Sequence, residues 1–274
     1  MTFLQGVALF FAAILAGALN SVAGGGSFIS FPTLLFTGVL PINANATNTA
    51  AMVPGSIASI PPYRKDLAHE RRELLLFSVI SAIGGILGAI ILAKTPSSLF
   101  QKMIPYLLLI ATLIFAAGNN LAAAIRSLRG KPAQAQDNAI DAGETVQKME
   151  GMPQTSAGAL IAVLVIQFVI SLYGGFFGGG IGIMMLAGFA LLGMTNIHAM
   201  NALKVVLASV INGVAVIAFA LYGLILWPQA ILMAIGAIIG GWGGATLAHV
   251  VPARTVRWFV IAVGLAMSIY FFFK

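Results

Sequence analysis

The sequence predicts an all-α, multi-pass membrane protein built from two inverted repeats. Of its 274 residues, 60% are hydrophobic and only 8% are charged. The hydrophobic residues come in long runs, and one order of elements occurs twice along the chain. Because a soluble domain carries about a quarter charged residues, the composition excludes a water-soluble enzyme. The chain has no cysteine, which also excludes disulfides, thiolate metal sites and cysteine nucleophiles.

Six apolar runs are each long enough to form a helix across a hydrocarbon core of ~30 Å. They cover residues 3–22, 74–93, 103–124, 158–177, 228–248 and 255–273. The first run has no basic n-region, and its pattern returns at 158–180, so we interpret it as a retained helix and not as a signal peptide. Two more regions, 27–62 and 181–223, are apolar but interrupted, and they predict discontinuous helical segments.

The internal repeat organises the chain. When the glycine triplet at 24–26 is set on the triplet at 178–180, later elements follow in the same order, with a gap of one residue up to Ser56 and a further shift of three residues beyond it. The matched pairs are Asn43 and Asn196, Asn48 and Asn201, Val53 and Val206, Ser56 and Ser209, Gly88 and Gly244, and Pro96 and Pro252. We therefore predict a first transmembrane repeat at 1–124, a polar cytoplasmic connector at 125–157 and a second repeat at 158–274.

The basic residues predict the topology. They concentrate in the 63–73 loop, in the connector, and near Arg254 and Arg257, and cytoplasmic loops carry such an excess. The basic loop occupies different positions in the two copies, as inversion requires. We expect each copy to have three full transmembrane helices plus a broken, re-entrant helical hairpin. A parallel arrangement with four crossings per copy is the alternative, but it would place Arg254 and Arg257 on the wrong side.

Each glycine triplet precedes a short helix, and this arrangement suits ligand binding. Broken helices are tolerated in a bilayer only where they line a cavity or pack inside protein, and transporters point half-helix N-termini at anionic groups. The alternative for the glycines is close helix packing. Asn43 and either Thr195 or Asn196 are predicted N-caps of the following helices. Further polar residues share helix faces, which fits either a pocket or inter-helix hydrogen bonds: Asn48, Ser56 and Ser59 in the first copy, and Asn201, Lys204 and Asn212 in the second.

Lys204 is the strongest functional candidate, because a lone cation inside an apolar run is expensive and is a functional hypothesis by default. Its structural alternative is a lysine that extends to the membrane interface. His198 is a possible proton-linked group or a capping histidine, and Gln167 is a predicted inter-helix hydrogen-bonding residue. All seven acidic residues lie between Asp66 and Glu150, outside the membrane runs. A buried lysine, amides, hydroxyls and helix N-termini suit an anion better than a cation.

These residues resemble a known family. The stretch Ala23-Gly24-Gly25-Gly26-Ser27-Phe28-Ile29-Ser30-Phe31-Pro32, followed by Asn43-Ala44-Asn45-Ala46-Thr47-Asn48, is similar to the signature of the sulfite exporter TauE/SafE family. The second copy carries Gly174-Gly175-Phe176-Phe177-Gly178-Gly179-Gly180-Ile181-Gly182 and His198-Ala199-Met200-Asn201. The resemblance implies an inner-membrane protein that exports sulfite or an organosulfonate such as sulfoacetate.

We therefore expect a secondary transporter of a small sulfur-containing anion, bound at the midplane between the repeats and moved by alternating access. The alternatives are a passive anion channel and a proton-linked importer of another small anion. No enzymatic activity, cofactor, metal or nucleic acid is expected; the expected partners are the small anionic substrate and the lipid bilayer. The predicted substrate-binding residues are Gly24, Gly25, Gly26, Ser27, Asn43, Asn45, Thr47, Asn48, Gly178, Gly179, Gly180, Asn196, Asn201 and Lys204, with His198 as the possible proton-linked group.

Overall fold

Ten α-helices make up the part of the chain that the computed structural model describes, which comprises residues 1–22, 24–61, 71–128, 157–191, 194, 197–247 and 253–273. The helices are α1 Phe3–Val22, α2 Ser27–Phe36, α3 Pro41–Ala58, α4 Arg71–Lys94, α5 Ser97–Leu128, α6 Ala157–Phe176, α7 Ile181–Leu191, α8 Ile197–Leu221, α9 Trp227–Leu247 and α10 Ala253–Phe272. Within these ranges there is no strand. The prediction of an all-α chain is confirmed. The predicted connector at 125–157 lies outside the described residues, apart from the helix ends that border it.

Five of the described helices are long and apolar enough to cross a membrane. These stretches are Phe3–Ser21, Leu74–Lys94, Ser97–Ile114, Ala199–Leu221 and Trp227–Thr246. Large apolar side chains such as Phe11, Ile83, Ile110 and Trp242 are exposed on the outside of the bundle. A soluble protein rarely exposes apolar surface on this scale, so the outer surface suits contact with lipid.

Both glycine triplets break the helical path, as the sequence predicts. Gly24 follows α1 with a φ of 82°, and Gly178 and Gly180 follow α6 with φ values of 75° and 81°. Residues with a side chain rarely adopt this left-handed backbone conformation, whereas glycine does so readily. The helices that begin after the breaks, α2 and α7, have only 10 and 11 residues. Each is therefore about 15 Å long, too short to cross a hydrocarbon core.

The short helices fold back along the helices that precede them as well as along those that follow. We expected 3–22 to cross alone and the discontinuous segment to consist of α2 and α3. In the structure, Gln5 near the start of α1 donates through Nε2 to the carbonyl of Thr37, just beyond the end of α2, at 3.4 Å. Gly188 of α7 likewise packs against Ile170 and Ile166 of α6. The chain therefore reverses at the glycines to form the α1–α2 and α6–α7 hairpins, and α2 also packs against α3, where Asn48 bonds to Ser27.

The fourth helix of each half packs against helices of the other half. Helix α9 packs on α1 and α3, and α4 packs on α6 and α8. Small residues make these contacts close: a Cβ on Gly240 would overlap the carbonyl of Ile14, and a Cβ on Gly88 would overlap the carbonyl of Leu172. Such close approach is how helices associate where no water drives them together. The same set of contacts results when the two halves are interchanged.

Helices α3 and α8 lie in contact and run in opposite directions through the centre. At the start of α3, Asn43 contacts Leu224, just beyond the end of α8. Near the end of α3, Ser56 lines the same cavity as Lys204, about two turns into α8. Helices α3 and α8 are therefore antiparallel at the point where they meet.

Candidate functional site

A cavity lies where the two glycine breaks meet, between the halves of the chain. It takes in about 570 Å³ of space not occupied by atoms, including space open at its mouth. The volume open to the centre of a water molecule is about 20 Å³, which is room for about one water. The lining residues are Gly17, Asn20, Ser21, Gly24, Ser27, Asn48, Thr49, Met52, Ser56, Ser59, Gly178, Ile181, Gly182, Lys204, Val205, Ala208 and Asn212.

Lys204 places the amine of a buried cation at this cavity. The side chain is only 1% exposed, and Nζ donates to Asn201 Oδ1 at 2.9 Å and to the carbonyl of Ser21 at 3.3 Å. The structural alternative of a lysine that extends to the interface is therefore wrong. An ammonium group has three N–H donors, and these two contacts engage two of them. No other described residue engages the third, which leaves it available to a ligand in the cavity.

The N-termini of both short helices border the cavity beside Lys204. Ser27 begins α2, Ile181 and Gly182 begin α7, and all three line the cavity. A Cβ on Gly182 would lie 2.9 Å from the Cα of Gly24 and 3.1 Å from Cδ of Lys204. Only glycine therefore lets the two breaks approach each other and the lysine this closely. Helix N-termini carry partial positive charge, so three electropositive features converge here.

Helix α3 supplies the polar wall of the cavity. Asn48, Ser56 and Ser59 line the cavity, so the predicted face of α3 is confirmed. Asn20 Nδ2 donates to Ser56 Oγ at 3.4 Å, and Asn48 Nδ2 donates to Ser27 Oγ at 3.3 Å. These bonds tie α3 to both arms of the α1–α2 hairpin.

Three of the predicted binding residues of α3 contact other helices and loops and do not line the cavity. Asn43 Nδ2 donates to the carbonyl of Leu224 at 2.9 Å, and Thr47 Oγ1 accepts from the backbone N–H of Leu226 at 3.0 Å. Asn45 Nδ2 donates to the carbonyl of Phe176, at the end of α6, at 3.2 Å. The polar cluster thus joins the first half of the chain to the second.

The prediction that Asn43 caps α3 is wrong. The helix begins at Pro41, Leu40 occupies the N-cap position, and no side chain caps the helix. Proline is favoured at the first helical position because its missing N–H would have no partner there. The other predicted cap residues, Thr195 and Asn196, lie outside the described residues.

Of the remaining predicted site residues, those that the structure describes do not line the cavity. Asn201 contacts the lysine amine without lining the cavity. Gly26 packs against the carbonyl of Ala16, and Gly180 packs against Ala111. Gly25 and Gly179 belong to the two breaks and do not line the cavity. His198 lies in the first turn of α8, and its side chain is outside the described part of the structure.

Sequence reasoning missed Asn20, Ser21, Thr49 and Gly182 as cavity residues. Two of them had a visible signal: Asn20 and Ser21 are adjacent polar residues at the end of an apolar run, next to the glycine triplet. The predicted role of Gln167 is confirmed, since its Nε2 donates to Ser81 Oγ of α4 at 2.8 Å. Among the residues described, no group of three His, Asp or Glu side chains is placed to hold a metal ion.

Comparison with known proteins gives a consistent result. A family model described as "Sulfite exporter TauE/SafE" matches residues 9–271. A "Probable membrane transporter protein ORF9" of Sinorhizobium sp is 26% identical over 95% of this chain and 90% of its own. A "Probable membrane transporter protein" of Haemophilus influenzae is 28% identical over 95% and 91%, and YfcA of Escherichia coli K12, also a "Probable membrane transporter protein", is 26% identical over 95% and 87%. No solved structure matches the chain.

Proposed function

Because the chain belongs to the sulfite exporter TauE/SafE family of multi-pass membrane transporters, we propose that it exports a small sulfur-containing anion, such as sulfite or an organosulfonate, across the cell inner membrane. The observation that carries this proposal is the buried amine of Lys204 at a cavity bordered by two helix N-termini. Among the described residues no carboxylate contacts this amine, and a buried cation without such a partner is stabilised when an anion binds beside it.

The polar groups of the cavity support an oxyanion as the substrate. Besides the third N–H of Lys204, the cavity wall contains the hydroxyls of Ser27 and Ser56. Charged donors form the stronger hydrogen bonds to oxyanions, and hydroxyls add direction. As the structure shows it, the cavity has room for about one water, so a compact anion such as sulfite would enter as the two halves move apart.

The arrangement of the halves supports alternating access as the mechanism. Helices α3 and α8 run in opposite directions past the cavity, as in inverted repeats, where substrates bind near the midplane at the repeat interface. Each half contributes one broken hairpin and one central helix to the cavity. We propose that rocking of one half against the other opens the cavity first to one side of the membrane and then to the other.

Counterflow in proteoliposomes tests the transport class. Vesicles that contain the purified protein are loaded with unlabelled sulfite and diluted into a trace of radiolabelled sulfite. A carrier accumulates the label transiently, and the rate saturates with external sulfite. Uptake without overshoot, together with stepwise currents in planar bilayers, would instead identify a passive anion channel and contradict alternating access.

A further inference from the structure

The loop between α8 and α9 is held against the start of α3 by two side chains. Asn43 Nδ2 donates to the carbonyl of Leu224 at 2.9 Å, and the backbone N–H of Leu226 donates to Thr47 Oγ1 at 3.0 Å. Between these two bonds Ile225 is buried and belongs to the main hydrophobic core. A carbonyl and an N–H of the loop thus find their partners in side chains of α3, and this fixes the loop on that helix.

This loop connects two helices whose main neighbours differ. Helix α9 packs on α1 and α3, whereas α4 is the main neighbour of α8. From the end of α8 at Leu221 to the start of α9 at Trp227 there are six residue steps, which span roughly 20 Å when fully extended. The connection is therefore long enough for the end of α8 to move away from α3, and the two bonds from α3 oppose this movement.

The two bonds lie to one side of the cavity. Among the described residues, those of α3 that line the cavity begin at Asn48, and those of α8 end at Asn212. Because the two helices are antiparallel, the start of α3 and the end of α8 meet on the same side, where neither helix borders the cavity. The chain after α3 carries the basic residues of 63–73, and the positive-inside rule makes that end cytoplasmic. The bonds therefore lie between the cavity and the outer side of the membrane.

We propose that the α8–α9 loop is the outer gate of the transporter and that Asn43 and Thr47 form its latch. With both bonds made, the cavity is closed on the outer side. When they break, the end of α8 moves away from the start of α3 and the cavity opens outward. Loss of the acceptor for the N–H of Leu226 should lower the population of the closed state roughly tenfold, because water satisfies this group in the open state. The gate rests on the alternating access of the proposed function.

Cysteine accessibility from outside tests the gate without any transport. The chain has no cysteine, so Thr49→Cys places a single thiol in the cavity wall. The measurement is the rate at which a membrane-impermeant, negatively charged methanethiosulfonate labels this thiol from outside intact cells. We expect Thr47→Val to raise the rate at least several-fold, because valine has nearly the shape of threonine but accepts no hydrogen bond. Thr47→Ser keeps the hydroxyl and should keep the low rate.

Three further variants make the result specific to the latch. Asn43→Ala removes the other bond and should also raise the labelling rate, which provides a second test where valine at position 47 prevents folding. The matched control is Thr33→Val, whose hydroxyl bonds to the carbonyl of Ile29 within α2 at 2.7 Å; it should leave the rate unchanged. Ser81→Cys places a thiol between α4 and α6, outside the cavity wall, and it should stay unlabelled beside Thr47→Val. An unchanged rate in both latch variants, or an equal rise at both thiols, would overturn the proposal.

A cross-link across the gate tests its part in transport. In the cysteine-free chain, Asn43→Cys and Leu224→Cys together place one thiol on each side of the gate. Bridging them with a short bismaleimide should lower sulfite counterflow at least tenfold, whereas N-ethylmaleimide, which modifies both thiols without joining them, should not. Counterflow that survives complete cross-linking would overturn the gate. No counterflow before cross-linking, together with the expected external labelling, would contradict sulfite transport and leave the gate intact.

Discussion

From the burial of the Lys204 amine we derive a quantitative prediction about anion affinity. An anion about 4 Å from an ammonium group gains roughly 4 kcal/mol at an effective dielectric constant near 20. Since about 1.4 kcal/mol corresponds to a tenfold change in binding, loss of the charge should weaken sulfite binding about a thousandfold. Lys204→Met is the suitable change, because methionine retains most of the length of the lysine chain and fills irregular space.

The same change should leave the protein folded. The thioether that replaces the amine cannot donate to Asn201 Oδ1 or to the carbonyl of Ser21, which costs hydrogen bonds. The substitution also removes the desolvation penalty of a buried charge, and the two effects oppose each other. We therefore expect a monodisperse protein with a helical circular dichroism spectrum. Its midpoint temperature of thermal unfolding should be close to that of the unmodified chain.

Isothermal titration of sulfite into the purified variant is the assay, with Lys102→Met as the control. Lys102 lies exposed near the start of α5, so its loss lowers the net charge equally without touching the cavity. We expect the control to bind sulfite normally and Lys204→Met to show no measurable heat at concentrations that saturate the control. An affinity of the Lys204 variant within about threefold of the control would refute the electrostatic reasoning.

Two further predictions concern helix packing and a buried hydrogen bond, and both are measured as the midpoint temperature of thermal unfolding. Gly240→Ala should destabilise the protein by about 1–3 kcal/mol, because the new Cβ overlaps the carbonyl of Ile14 and overpacking costs this much. Gly243→Ala, on the same helix with nothing within 4 Å of its Cβ position, should be neutral or stabilising by up to ~1 kcal/mol; an equal loss in both variants would contradict the close α1–α9 contact. Gln167→Ala leaves the buried hydroxyl of Ser81 without its amide donor, and we expect a cost of about 1–3 kcal/mol. A midpoint unchanged by Gln167→Ala would show that this bond contributes nothing.

Hydrophobic runs and glycine triplets predicted much of the fold. The run at 3–22 forms a helix with those bounds, and the triplets precede α2 and α7 as expected. Apolar length and glycine conformation are local properties, so the sequence reveals them directly. The pairing of the short helices is different, because it depends on which neighbour α2 packs against. The bond between Gln5 and Thr37 joins residues whose contact no local pattern indicates.

The candidate site was predictable from the sequence to the extent that charged side chains are rare within the apolar runs of this chain. Lys204 was recognisable because it is a lone cation in an apolar run, and its burial follows. The roles of Asn43 and Thr47 were not recognisable, since an amide or hydroxyl serves equally well to line a pocket or to hold a loop. The structure shows that these two hold the α8–α9 loop. Only the three-dimensional partner decides between the two roles.

Protection of an introduced cysteine tests the central claim, that both halves form one anion-binding cavity around Lys204. Because the chain has no cysteine of its own, Ser56→Cys and its repeat counterpart Ser209→Cys each give a single labelling site. Ser56 lines the cavity with Lys204, whereas Ser209 lies outside the cavity wall. The measurement is the rate of N-ethylmaleimide labelling in membranes with and without sulfoacetate. We predict that sulfoacetate slows labelling at position 56 in a concentration-dependent way, leaves position 209 unaffected, and loses its effect when Lys204→Met is added. Labelling at position 56 at the same rate with and without the anion would contradict the account.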